Sequence, residues 1–381
     1  SYADAISDYP AAILAARDAI HLAEAGQDAG REAAGYLRWG RVLCSQADYP
    51  EARSRLERAL SLARTAQVRQ VEGDSLRNLG LVSWLQGEHD EAESCFVEAL
   101  SIYRELGDRR FEGGTLNNLG LVCSERGSHS EAVAFYEQAL SIFRQVGDRR
   151  GESIVLGNLA GTALALGEIT RANSIYEETL SLCREIDDRT GECRILANQV
   201  LLYHRQGEDG KAFDLGHEAL LFAQELGNRR WQAYALTNLG HSQVALGFLE
   251  EGRESYQQAL KIRREMGEDH MVIESLAGQA RACLALGDLT AAQDSIEEIL
   301  GYLEDHTVEG TDEPLRIYLT IYLVQRSTQD LKAGETLATA DQLLQTQAAR
   351  IDDEDLRRTL LENVPAHREI VRLWLARGVA G

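Results

Sequence analysis

Displaced by 40 residues, the sequence falls on itself. Gly87, Gly127, Gly167, Gly207, Gly247 and Gly287 form one column. Ala52, Ala92, Ala132, Ala172, Ala212 and Ala292 form another, with Gly252 substituting once. Ala-Leu recurs at 59–60, 99–100, 139–140, 219–220 and 259–260. The phrase Gly-Asp-Arg-Arg at 107–110 and 147–150 is echoed by Asp-Asp-Arg-Thr (187–190) and Gly-Asn-Arg-Arg (227–230). A unit this short cannot bury its own apolar face, so it must stack on its neighbours. The repeat therefore overrides what 381 residues would otherwise suggest, two or three ordinary domains.

Each unit reads as two helices. In residues 108–146, Asp108 is placed to cap helix A and Glu112 puts an acid in its first turn. Helix A runs to about Arg126, Gly127-Ser128 makes the turn, and helix B runs from about Ser130 to Val146, where Gly147 stops it. Scarce Pro, with Ala, Leu, Glu and Arg common, fits an all-α chain. The phrase Leu-Asn-Asn-Leu-Gly (116–120) conflicts locally, since Asn and Gly are poor helix formers. It nonetheless returns as Leu-Arg-Asn-Leu-Gly (76–80), Leu-Gly-Asn-Leu-Ala (156–160) and Leu-Thr-Asn-Leu-Gly (236–240). Gly120 and Ala132 have a packing reason: small residues let the two helices of a unit approach closely.

This pattern resembles the tetratricopeptide repeat (TPR). In that family helix A carries a large residue at position 4, Leu at 7, a small residue at 8 and an aromatic at 11; helix B carries Ala, an aromatic and Ala. Here one unit supplies Leu116, Leu119, Gly120, Cys123, Ala132, Tyr136 and Ala139. The next supplies Leu156, Leu159, Ala160, Ala163, Ala172, Tyr176 and Thr179. The period departs from the usual length of about 34, and the usual Pro after helix B is replaced by the Gly-Asp-Arg-Arg loop. This long form resembles GoLoco-binding scaffolds, kinesin light chain and the sensor regions of bacterial STAND-type signalling NTPases. The resemblance implies an all-α, right-handed superhelical TPR solenoid of about eight to nine helix pairs with a C-terminal capping helix.

The expected organisation is a TPR array over 1–304, with a truncated first unit at 1–27 and seven full units after it. The acidic stretch Glu-Asp-His-Thr-Val-Glu-Gly-Thr-Asp-Glu-Pro (304–314) breaks the register. Residues 305–381 then hold a degenerate helix pair, at about 315–327 and 333–349, and a cap in which Leu360, Leu361, Ile370, Leu373 and Trp374 seal the last apolar face.

On a helical wheel, Asn78, Asn118, Asn158, Asn198 and Asn238 all fall at the sixth position of helix A, opposite the packed face. In TPR solenoids that stripe lines the concave surface. The resemblance therefore implies a ladder of carboxamides that bonds the backbone of an extended peptide, each Asn supplying an acceptor and two donors. Asn117 adjoins the ladder. The rest of the stripe holds Arg38, Arg41, Arg77, Arg194, His204, Arg205, His241 and Arg281 against Asp74, Glu125 and Glu274, with Trp84, Tyr234, Leu81, Leu121 and Leu201 adding apolar contact. It is net basic within a chain of net charge −22, which points to a partly acidic polypeptide ligand, either a partner's or one from another domain of the parent chain. The alternative, that the Asn column bonds neighbouring helices and sets repeat geometry, stays open at this point. The Gly-Asp-Arg-Arg arginines are expected in ion pairs between repeats, and Trp39 and Trp374 in the core or cap.

The acidic balance argues against general affinity for nucleic acid or an anionic membrane, and no apolar run approaches the roughly 20 residues of a membrane span. Six Cys without a Cys-x-x-Cys pair suit buried small hydrophobes in a reducing cytosol. No catalytic motif is present. Gly-Glu-Asp-Gly-Lys-Ala (207–212) lacks the spacing, the Ser/Thr and the preceding strand of a phosphate loop, and His89, His129, His217 and His270 are scattered. The expectation is a cytoplasmic, non-enzymatic module without cofactor or metal. The start at Ser1, in mid-pattern, suggests a fragment of a longer protein. The leading reading is the ligand-sensing region of a bacterial signalling protein, a STAND-type NTPase or regulator. A non-switching scaffold is the alternative.

Overall fold

The computed structural model describes residues 9–46 and 48–379. The first eight residues of the truncated first unit, Ser1 among them, lie outside the described residues. The chain is an array of helices: α1 (Tyr9–Ala25); the seven pairs α2 (Ala29–Ser45) and α3 (Tyr49–Ala66), α4 (Arg69–Leu85) and α5 (His89–Leu106), α6 (Arg109–Glu125) and α7 (His129–Val146), α8 (Arg149–Ala165) and α9 (Ile169–Glu185), α10 (Arg189–Arg205) and α11 (Asp209–Glu225), α12 (Arg229–Leu246) and α13 (Leu249–Met266), α14 (Asp269–Leu286) and α15 (Leu289–Tyr302); then α16 (Pro314–Ser327), α17 (Ala333–Ala349), α18 (Glu354–Asn363) and α19 (Pro365–Val379). The expected unit at 108–146 is α6 and α7, with Asp108 accepting from the Phe111 amide at 3.2 Å. The degenerate pair is α16 and α17, and the break near Pro365 separates α18 from α19.

The small column of helix A exists for the aromatic of helix B. A Cβ at Gly120 would sit 2.5 Å from the Tyr136 ring; at Gly80 it would meet Phe96 at 2.7 Å, and at Gly240 Tyr256 at 2.8 Å. Phe96, Tyr136, Tyr176 and Tyr256 are each 1% exposed. The helix-forming cost of that Gly, about 1 kcal/mol, is offset by burial of the ring it admits, and Ala160 takes the same place against Tyr176. The Gly column at the turns answers a backbone need: Gly87, Gly127, Gly167, Gly207, Gly247 and Gly287 have φ between 74° and 87°, where a side chain is strained.

The chain divides into two compact units. The first comprises 1–123 and 134–151, the second 124–133 and 152–381. In the first, buried Glu72 receives Arg64 at 3.2 Å and Arg69 at 2.7 Å, and buried Glu112 receives Arg104 at 3.0 Å and Arg109 at 2.5 Å. One Arg ends helix B and the other opens the next helix A, so each acid clamps consecutive repeats. Arg110 pairs with Asp148 at 2.6 Å. The core here runs through Leu37, Trp39, Leu56 and Leu79, with the guanidinium groups of Arg17 (4.5 Å) and Arg55 (4.1 Å) over the Trp39 ring.

In the second unit, the repeat core continues into α16 through Ile317, Ile321 and Val324. The C-terminal helices then do more than seal an end. Ile370 and Leu373 pack with Leu337 and Leu344, with Leu361 and Trp374 alongside. Leu360 instead joins Leu166, Ala348 and Ile351. The Arg350 guanidinium donates to the Arg126 carbonyl at 2.7 Å, and the Asn363 amide donates to the Gly167 carbonyl at 3.3 Å. These contacts bring the turns at 126–128 and 166–168 into one body with the C-terminus, which is why 124–133 belongs to this unit.

Candidate ligand-binding stripe

The stripe behaves differently in the two compact units. In the first, Asp74 accepts from the Tyr103 hydroxyl at 2.6 Å. Burial and this carboxylate push the Tyr103 pKa up. Asn78 is 6% exposed and donates to the Asp74 carbonyl of its own helix at 2.7 Å. Arg77 lies over the Phe111 ring, 5.3 Å from its centroid. Asn117 is buried and partnered, and Trp84 is half-buried and partnered. Asn118 differs: it is half-buried, and its carboxamide makes no hydrogen bond to the described residues. Arg38 and Arg41 are exposed, and Leu81 and Leu121 half-buried.

In the second unit, Asn158 is half-buried and partnered, whereas Asn198 is half-buried with no hydrogen bond among the described residues. Asn238 is 3% exposed and donates to the Ala197 carbonyl of the preceding pair at 3.4 Å. The ladder is therefore not uniform. Asn78 and Asn238 bond within the protein, and Asn118 and Asn198 keep open donors and acceptors. Arg194 lies against Gly157, where a Cβ would come within 2.1 Å of its guanidinium, and donates to the Ser153 carbonyl at 3.2 Å. Burial lowers its pKa.

The register-breaking stretch runs onto this stripe. Glu313, the residue before Pro314 of α16, accepts from Arg205 at 3.1 Å and from Arg316 at 2.6 Å, with all three side chains no more than 15% exposed. Burial opposes its ionisation, yet Arg316 and Arg205 overcome that and hold the carboxyl well below the usual range. Arg205 also donates to the Leu164 carbonyl at 2.8 Å. The Asp312 amide donates to Glu274 at 3.4 Å, and the Asp312 carboxylate lies beside Tyr234. His241 is buried, with Nδ1 2.5 Å from the Tyr256 hydroxyl and Nε2 3.9 Å from Glu313. His204 bonds Asp209 at 2.7 Å and meets Arg316 at 3.3 Å. Burial holds both histidines below their ordinary pKa, aided by Arg316. Burial and the Asp312 carboxylate push Glu274 up to about 8.

The sequence expects no metal-ligand geometry, but here donor atoms of His241, Glu274 and Glu313 lie within 4.8 Å of one another. The set does not suit a cation. Arg205 and Arg316 already occupy the Glu313 carboxylate, and their charges in a poorly solvated site repel a divalent ion. Asp312, Glu313 and Arg316 were not among the residues expected from sequence, because they stand outside the repeat. The available signal was that the break in register is itself acidic.

The tetratricopeptide-repeat family model matches residues 31–105, 72–145 and 231–305. The chain is built of tetratricopeptide repeats. Solved TPR structures share its architecture at low identity. A Rap conjugation gene regulator of plasmid pLS20, in complex with the Phr* peptide, is 11% identical with a TM-score of 0.64, over 91% of this chain and 98% of that one. NprR in complex with its cognate peptide NprX is 15% identical with a TM-score of 0.60, over 89% and 98%. A STAND protein with a TPR sensor from Pyrococcus horikoshii is 14% identical with a TM-score of 0.50, over 88% of this chain and 54% of that one. No curated protein matches the chain. Among the described residues no helix is long and apolar enough to cross a membrane.

Proposed function

We propose that this TPR array binds an extended, partly acidic polypeptide along the helix-A stripe and serves as the ligand-sensing region of a larger bacterial signalling protein, a STAND-type NTPase or related regulator. One observation carries the reading. In the second unit the stripe already receives a non-helical acidic stretch of the chain's own, with Glu313 on Arg205, Asp312 beside Tyr234, and a backbone amide on Glu274. The chemistry that holds this stretch is the chemistry an external acidic peptide needs. Each unit by itself keeps an unspent carboxamide suited to a peptide backbone, Asn118 in the first and Asn198 in the second. The similarity to Rap and NprR, whose structures contain bound peptides, supports the reading. The role is binding and not catalysis, in the cytoplasm.

A library of fluorescein-labelled acidic peptides, read by polarisation against the wild type, Asn118→Ala and Asn198→Ala, tests the proposal. Saturable binding weakened about tenfold or more by either substitution, with unchanged circular dichroism, is expected. Binding that ignores both substitutions moves recognition off the stripe. If binding persists but protection of the array from proteolysis does not change with ligand, a non-switching scaffold is the better description.

A further inference from the structure

Among the described residues of the second unit's stripe, Arg194 spends its guanidinium on a backbone carbonyl, whereas a second cation has no partner. Arg281 on α14 is half-buried and makes no hydrogen bond or ion pair with the described residues. Every acid near it is engaged elsewhere. Glu313 is held by Arg205 and Arg316, Glu274 receives the Asp312 amide, and Glu369 on α19 is forked onto Arg372 at 2.6 and 2.8 Å. Burial, and then the charge of a second cation, Arg316, lower the Arg281 pKa to about 10 against the smaller opposing pull of Glu313 and Glu369. Tyr256 and His241 on the neighbouring helices bond each other. A guanidinium kept from full solvation beside a second guanidinium is a cost to the folded state unless an anion completes it.

We infer that Arg281 anchors a carboxylate of the bound ligand, in a subsite beside the one that the chain's own Glu313 fills. The inference rests on the peptide-binding reading and narrows its ligand: an acidic group must sit where the ligand passes α14 and α16. Glu313 is fixed as the residue that joins the acidic stretch to α16, so the ligand adds to it and does not replace it. Planar, two-donor recognition is what Arg offers a carboxylate and Lys does not.

The test uses the whole chain and three small probes: acetyl-Asp-Glu-amide, acetyl-Asn-Gln-amide, and acetyl-Asn-Gln with a free C-terminus. Thermal unfolding is followed as each is titrated. A concentration-dependent rise in melting temperature with the first, and none with the second, is expected; a rise with the third shows that a terminal carboxylate serves as well as a side chain. Arg281→Gln should weaken the response at least about tenfold. Without any probe it should melt at or above the wild-type temperature, because an unsatisfied charge has been removed. Arg281→Lys should keep the charge and respond about tenfold more weakly than wild type. The inference is overturned if wild type ignores both carboxylate probes, if Arg281→Gln responds as wild type does, or if Arg281→Gln alone melts well below wild type. Peptides from the acidic library that bind Arg281→Gln and wild type equally remove only this subsite. A dipeptide response without any library binding removes the extended-peptide reading and leaves the subsite standing.

Discussion

The two compact units are made of the same repeat, yet equivalent positions of helix A serve different ends. In the first unit the buried acids Glu72 and Glu112 clamp consecutive repeats through arginines that remain roughly half exposed. Its stripe keeps Arg38 and Arg41 in solvent and Asn118 unbonded. In the second unit the stripe is largely taken up by later chain: Arg205 and Arg316 close on Glu313, and α17 and α18 reach the turns near Gly127 and Gly167. A repeat position is therefore not a function. What a side chain does there depends on which non-repeat segment reaches it, and on how much water is left.

The largest difference should appear on removing the acids. Glu313→Ala leaves two buried guanidinium groups unpaired, and about 3–5 kcal/mol of stability should be lost. Glu112→Ala leaves Arg104 and Arg109, 51% and 46% exposed, free to hydrate, and should cost nearer 1 kcal/mol. Urea unfolding of the two variants checks the ranking, and equal losses would break the comparison. Overpacking should erase the contrast instead. Gly120→Val in the first unit and Gly240→Val in the second both push into a buried Tyr ring, and each should cost about 1–3 kcal/mol.

The dependence on pH should be one-sided by region. His129 and His367, held at about 4 chiefly by burial, belong to the second unit, as do His204 and His241. A histidine with a lowered folded pKa contributes no penalty above its ordinary value of 6.5. Below it the unfolded chain binds the proton first, so stability falls as pH drops from 6.5 toward 4. Glu274 works in the opposite direction. Its folded pKa of about 8 means the native state holds a proton that the unfolded chain has released, so stability falls as pH rises from about 4.5 toward 8. Hydrogen exchange resolved by segment should show acid opening around α17–α19 before the first unit, and Glu274→Gln should flatten the alkaline limb.

The smallest effects separate the two kinds of Asn. Asn78→Ala and Asn238→Ala each remove a buried hydrogen bond and should cost about 0.5–1.5 kcal/mol. Asn118→Ala and Asn198→Ala should stay within about 0.5 kcal/mol, since nothing in the described protein bonds them. A loss at Asn118 or Asn198 as large as at Asn238 would make the whole column architectural.

Read from sequence alone, the column of five Asn looked uniform because one period placed all five at the same angle on helix A. The same period determined the helix pairs, the small-against-aromatic contact at Gly120 and Tyr136, and the turn glycines, all of which depend on residues near one another in the chain. The acidic break at 304–314 was legible as a break, but not as an occupant of the stripe. Whether Arg205 meets Glu313, 108 residues away, or Arg350 meets the carbonyl of Arg126, 224 residues away, has no periodic signature. Such contacts follow from where the stacked repeats deliver the later chain, and from the cost of leaving a charge unpaired once it arrives there. Local repetition thus set the fold, and only the tertiary structure decided which of the repeated side chains remain open to a ligand.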